Sequence, residues 1–251
     1  MTKPLAVLRD SVEHLRSIID NVDVLVPETP AYPSEWTIAD TMSHIGSGAV
    51  IFTQRFNDIV EKRESDPNFN QSVWDTWNAK APADQVKDAL VANDALLVAL
   101  EALPDDKRAE FHTVMGPFNL DFDGFVGMRL GEQALHTWDV EVVLDPTATL
   151  SSDVASVILE NLARVVGFSG KANGEVKDVS VRTINPSREF MIVFAGDSVS
   201  LVTGSSTDEI DVELPAESFV RLVYGRLDQE NSPAGTDNQV LDSLRVAFPG
   251  F

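Results

Sequence analysis

The sequence predicts an α+β protein: an N-terminal four-helix bundle followed by a small α/β domain whose sheet is mainly antiparallel. Three observations lead there. Apolar residues recur at helical spacing in four long stretches before Pro146. The pattern breaks at Asp145-Pro146, and a further helix opens at Ser151-Ser152-Asp153. Beyond Gly170 apolar residues alternate, as they do in strands. The expected division is a bundle at residues 1–148 and an α/β domain at residues 149–251.

The first helix spans 4–24, with Leu5, Leu8, Val12, Leu15, Ile18 and Ile19 on one side and Pro4 in its first turn. His14 lies one residue off that stripe and reads as an ordinary half-exposed position. Pro27, Pro30 and Pro33 make 26–35 a loop. The second helix opens at Trp36-Thr37. Thr37 is a candidate N-cap with Asp40 three residues on, so Asp40 reads as a first-turn acid and not as a ligand. Its apolar face runs through Ile38, Met42, Ile45, Ala49, Phe52 and Phe56, and His44 stands at the border of that face. Gly46 and Gly48 each cost a helix about 1 kcal/mol relative to Ala. They suit a place where another element or a ligand must come close.

Residues 64–80 read as a long loop or a short irregular helix, with Trp74 and Trp77 both needing cover. A third long helix runs from Pro82 to Leu103, ended by Pro104. Residues 109–119 suggest a loop or short hairpin, with His112 structural or exposed. Asn119 is the expected cap of the fourth helix, about 120–143. The second half has the helix after Ser151, closed by Gly167 and Gly170. Strands follow at Val179–Thr183, at 189–195 (apolar on both faces, hence central) and at Val199–Leu201 after a tight turn at Gly196-Asp197. A fourth strand carries Ile210, Val212 and Leu214. Pro215 opens one helix, and another covers 238–247.

At 251 residues the chain has room for one large or two small domains. Its net charge of -21 argues against nucleic acid and anionic membranes as partners, since phosphate binding needs Lys and Arg. No stretch approaches the length of a transmembrane helix, and the N-terminus lacks the apolar core of a signal peptide, so a cytoplasmic protein is expected. Monomer and homodimer are both open. There is no cysteine, which excludes disulfides, thiolate metal sites and a protein thiol nucleophile. The chain has no Gly-x-Gly-x-x-Gly, no P-loop and no His-Glu-x-x-His. Gly167-Phe-Ser-Gly-Lys171 misses the nucleophile elbow by its last residue.

The chemistry concentrates in Arg129-Leu-Gly-Glu-Gln-Ala-Leu-His-Thr-Trp-Asp139. Glu132, His136 and Asp139 share one helix face, at about 100° per residue, with Phe125, Met128, Leu135, Val142 and Val143. Polar groups within an apolar stripe are costly unless paired or bound to a metal. A His–carboxylate pair that only supports packing explains the segment; so does a metal site. His44 would complete a set of two His and one carboxylate. That is the layout of catalytic zinc with an open position, and of non-haem Fe(II). Asp139 then either orients His136 or faces solvent.

Two motifs carry a family resemblance: Trp36-Thr-Ile-Ala-Asp-Thr-Met-Ser-His44 and Arg129-Leu-x-Glu-x-x-x-His-x-Trp-Asp139. With Leu214-Pro-Ala-Glu-Ser-Phe-Val-Arg-Leu-Val-Tyr-Gly-Arg226 and Leu244-Arg-x-Ala-Phe-Pro-Gly-Phe251, the chain resembles the mycothiol-dependent maleylpyruvate isomerase family. The resemblance implies a DinB-like metal-binding bundle followed by a domain similar to sterol carrier proteins. It implies a divalent metal, usually zinc, on His44, Glu132 and His136, with mycothiol as the thiol cofactor. It also implies a functional arginine, best matched by Arg226 and less well by Arg221. The expected activity is isomerisation of the maleylpyruvate type, or thiol S-transfer to a small electrophile. A non-catalytic metal- or small-ligand-binding DinB-like protein is the alternative.

Overall fold

The computed structural model describes residues 1–22, 25–32, 35–172, 177–204, 209–236 and 238–250. The chain forms two compact units, Met1–Ala148 and Thr149–Phe251. Among the described residues, no helix is long and apolar enough to cross a membrane.

In the first unit, α1 (Lys3–Asn21), α2 (Ile38–Val60), α4 (Pro82–Ala102) and α6 (Phe122–Glu141) are the four long helices. α2 packs on α4 and α6, and α1 packs on α6 and α4. Leu15 of α1, Met42 and Ile45 of α2, Ala89 and Leu90 of α4 and Val140 of α6 meet in one core cluster. At the other end Phe52, Phe56, Phe111, Phe122 and Phe125 stack edge and face. The start of α2 is fixed by a full capping box. The Asp40 amide donates to Thr37 Oγ1 at 3.1 Å, and the Thr37 amide donates to Asp40 Oδ2 at 2.9 Å. α1 stops at Asn21; the expected continuation through Asp23 and Val24 lies outside the described residues, as do Pro33 of the loop and Phe251 of the C-terminal motif.

The stretch 64–80 is more regular than its composition predicts, because α3 spans Phe69–Asn78. Its inner side needs only Val73 and Trp77, so a helical stripe is hard to see. Trp77 is buried, whereas Trp74 is 43% exposed and does not receive the expected cover. A short α5 (Asp105–Glu110) precedes a two-stranded hairpin of β1 (His112–Met115) and β2 (Phe118–Asp121). Its turn needs Gly116, which sits at φ 58°. The hairpin continues past Asn119, which pairs with Val114. Asn119 is therefore not the cap of α6. Asp121 takes that role, accepting from the Gly124 amide at 2.8 Å.

In the second unit α7 (Ser152–Ser169) is capped by Ser151. β3 (Val179–Ile184), β4 (Arg188–Ala195), β5 (Ser198–Thr203) and β6 (Val212–Pro215) form a sheet in the order β5-β4-β3-β6. All neighbours are antiparallel except the β3–β6 pair. β4 is interior, but only Phe190 and Ile192 point into the core; Met191 and Val193 are half-buried. Gly196, at φ 60°, closes the tight turn between β4 and β5. Ile210 falls outside the fourth strand. Just before it, Asp211 turns its carboxylate onto the Ser180 amide and hydroxyl, at 2.8 and 2.7 Å, so the ladder begins at Val212. α8 (Ala216–Val223) packs on α7 and β3, and α9 (Gln239–Ala247) is capped by Asn238.

Candidate metal centre

α6 is enclosed nearly all round. Its least buried positions are Asp123, Gly124, Met128, Glu132, His136 and Glu141, mostly four residues apart. This corrects the expectation from periodicity. Glu132 and His136 are not sunk in the apolar stripe; they form the half-open seam of a helix whose other sides face protein. The first half of α2 shows the same pattern: from Ile38 to Ala49 only Asp40, His44 and Gly48 are not buried. The capping box sets where α2 begins, and thereby puts His44 two turns in.

The two seams meet. His44 Nε2 lies 3.3 Å from Glu132 Oε2, and His136 Nε2 lies 3.7 Å from the same oxygen. One ligand atom from each of the three residues falls within 4.8 Å of the others. No other such group occurs among the described residues. A trio held only by hydrogen bonds would close to about 2.7–3.2 Å. Ligand atoms around a tetrahedral ion with zinc-like bonds stand about 3.3 Å apart. The donor set therefore fits a divalent ion: two neutral imidazole nitrogens and one carboxylate.

Asp139 settles the tautomer of His136. Its carboxylate is 1% exposed and accepts from His136 Nδ1 at 2.9 Å. The hydrogen on Nδ1 leaves Nε2 with its lone pair aimed at the cluster. Burial pushes the Glu132 carboxyl up, but His136 and His44 in their protonated forms, close to its Oε2, outweigh it and hold the group below the usual carboxylate range. The side chain keeps 43% of its surface open, so solvent screens part of that effect.

Two neighbours were not foreseen. Trp36 stacks on His136 with ring centroids 6.0 Å apart and planes 18° apart, and it tilts against His44 at 5.4 Å. The imidazoles themselves meet edge to face at 4.5 Å. Trp36 precedes the N-cap, where an apolar residue commonly folds back on its helix, and that signal was available. The other is Arg129, wholly buried one turn before Glu132. Burial pushes its guanidinium down to about 10, against the pull of Glu132, so it stays charged at neutral pH.

Within the first unit, the remaining predicted residues lie outside the cluster. His14 on α1 pairs with Glu141 at 2.9 Å, and His112 is exposed on β1. Asp40 is occupied in its capping box. Arg226 belongs to the second unit, is 9% exposed, and donates through Nη1 to the Tyr224 carbonyl at 2.8 Å beyond α8. Arg221 grips Glu217 with two hydrogen bonds, at 2.7 and 3.1 Å.

The model of the mycothiol maleylpyruvate isomerase N-terminal domain family matches residues 8–141. Among solved structures, the crystal structures of the mycothiol-dependent maleylpyruvate isomerase and of a histidine-to-alanine mutant of it share the fold. Each has a TM-score of 0.65 at 16% identity, over 90% of this chain and 90% of that one. No curated protein matches the chain.

Proposed function

Because the chain belongs to the mycothiol maleylpyruvate isomerase N-terminal domain family, we propose that it is a metal-dependent enzyme using mycothiol as its thiol cofactor. It acts on a small electrophile, as an isomerase of the maleylpyruvate type or as a thiol S-transferase. The observation that carries this reading is the meeting of His44, Glu132 and His136 around one small volume in a half-open seam. These three would hold the ion, zinc first. Bound there, the ion would acidify a thiol, and the thiolate could add to an activated double bond or displace a leaving group.

The chain's own residues prepare that chemistry. With no cysteine, the protein offers no competing thiol. Asp139 keeps the proton on Nδ1 of His136 and so leaves Nε2 as the unprotonated nitrogen. Glu132 stays ionised through the neutral range. Trp36 covers one side of both imidazoles and restricts water there. Arg226 is proposed, on the family motif alone, to hold a substrate carboxylate by paired hydrogen bonds.

Metal analysis and calorimetry test the proposal. The purified protein should hold about one equivalent of divalent metal, lost in His44→Ala. The zinc-loaded protein should bind mycothiol, and the metal-free protein should not. Metal without thiol binding would leave the non-catalytic binding reading in its place. Sub-stoichiometric metal unaffected by His44→Ala would refute the site.

A further inference from the structure

Arg129 is a buried cation that the proposed chemistry leaves without a task. It is 1% exposed, and among the described residues no carboxylate stands within ion-pair distance of it. Its Nη2 donates to the Ile45 carbonyl on α2 at 3.0 Å, to Asn93 Oδ1 on α4 at 2.8 Å and to Gln133 Oε1 on α6 at 3.0 Å. Among the described residues, Arg129 Nε and Asn93 Nδ2 have no hydrogen-bond partner. α2 is notched to admit the guanidinium: a Cβ at Gly48 would stand 3.1 Å from Nη1.

This arrangement is poor as a device for stability. An unpaired buried charge is costly, and an apolar side chain of similar shape generally serves a core as well or better. Directed hydrogen bonds do something an apolar side chain cannot, which is to define how neighbouring helices are set against each other. The acceptors are placed accordingly. Ile45 follows His44, and Gln133 follows Glu132, so the guanidinium joins the two seams one residue past each ligand and anchors both to α4. Metal sites tolerate ligand displacements of only about 0.2 Å.

We infer that Arg129 is a positioning residue that sets α2 against α6, and through them the approach of His44 to Glu132 and His136. The inference rests on the metal reading proposed above.

The test uses the full chain with Arg129→Met, Arg129→Lys and Asn93→Leu. Zinc and cobalt affinities are read by chelator competition, the ligand field by the visible spectrum of the cobalt form, and stability by urea unfolding without metal. Arg129→Lys keeps the charge and loses the fork, so its loss of affinity reads position alone. Both Arg129 variants should bind metal about 10- to 100-fold more weakly, with an altered cobalt spectrum. For Arg129→Met this runs against electrostatics, since removing a nearby positive charge by itself favours a cation. Its metal-free form should unfold at the wild-type urea concentration or higher. If Arg129→Met does not fold, Asn93→Leu, which removes one acceptor, should show the same direction.

Wild-type affinity and spectrum in the folded variants would overturn the inference while leaving the metal site standing. So would an affinity loss matched by an equal loss of metal-free stability. A wild-type protein that binds no metal would overturn the site and the inference together.

Discussion

Gly46→Ala sets two physical effects against each other. By helix propensity Ala is better than Gly by about 0.8–1.0 kcal/mol, so α2 alone should gain. The packing says otherwise. A Cβ on Gly46 would stand 2.1 Å from Trp77 Cη2, 2.3 Å from Trp77 Cζ3 and 2.9 Å from Ala89 Cα. Carbon atoms rest at about 3.5–4.0 Å, so the indole must retreat by more than about 1 Å. It has little freedom to do so. Trp77 is 5% exposed, Lys80 lies 4.4 Å over its ring, and its carbonyl accepts from Gln85 at 3.2 Å. The third contact is backbone of α4 and cannot swing away. Overpacking of this kind costs about 1–3 kcal/mol, and the upper part of that range applies here. Subtracting the propensity gain leaves a net loss of about 1–2 kcal/mol. Urea unfolding followed by tryptophan fluorescence reads it cleanly, because Trp36, Trp74, Trp77 and Trp138 all lie in the first unit. A Trp77→Leu background should shrink the penalty. A Gly46→Ala protein as stable as wild type would refute the close approach of α3 and α4 to α2.

Asp139→Asn should weaken zinc binding about 10- to 100-fold in chelator competition, because the buried anion that orients His136 is lost; unchanged affinity would contradict that role. The hydrogen bond to Glu141 raises the His14 pKa above its ordinary value; burial opposes this and the charge of Glu141 adds to it. A group whose pKa is higher folded than unfolded contributes stability below the unfolded value, near 6.5, and loses it as pH rises through the folded one. NMR titration should therefore place His14 above 6.5 and Glu141→Gln should lower it, with the stability difference between the two proteins present in acid and gone in alkali. A difference that grew toward alkaline pH would reverse the argument.

Local pattern carried most of the architecture. The long helices α1, α2, α4 and α6 announce themselves by spacing, and Thr37 and Asp40 mark a cap that the structure forms in full. Gly196 marks the hairpin turn because few other residues accept its φ. α3 was harder to read because its stripe has two members. The cap of α6 is not legible locally, because Asn119 and Asp121 are both good N-cap residue types and only pairing with Val114 draws Asn119 into the hairpin.

The candidate site divides along the same line. Glu132, His136 and Asp139 are neighbours on any helix, so their grouping follows from covalent order and helical geometry alone. His44 is 88 residues from Glu132 in the chain, and nothing in its own helix says which element it will face. Nor does periodicity say which side of an almost wholly buried helix stays open, since that depends on where the neighbours stop. The seam holding Glu132 and His136, the indole over the imidazoles and the guanidinium between α2, α4 and α6 are products of packing between segments far apart in sequence. Composition and spacing establish the elements and the donor types; the assembled bundle alone determines their separation, exposure and partners, because these are properties of surfaces in contact.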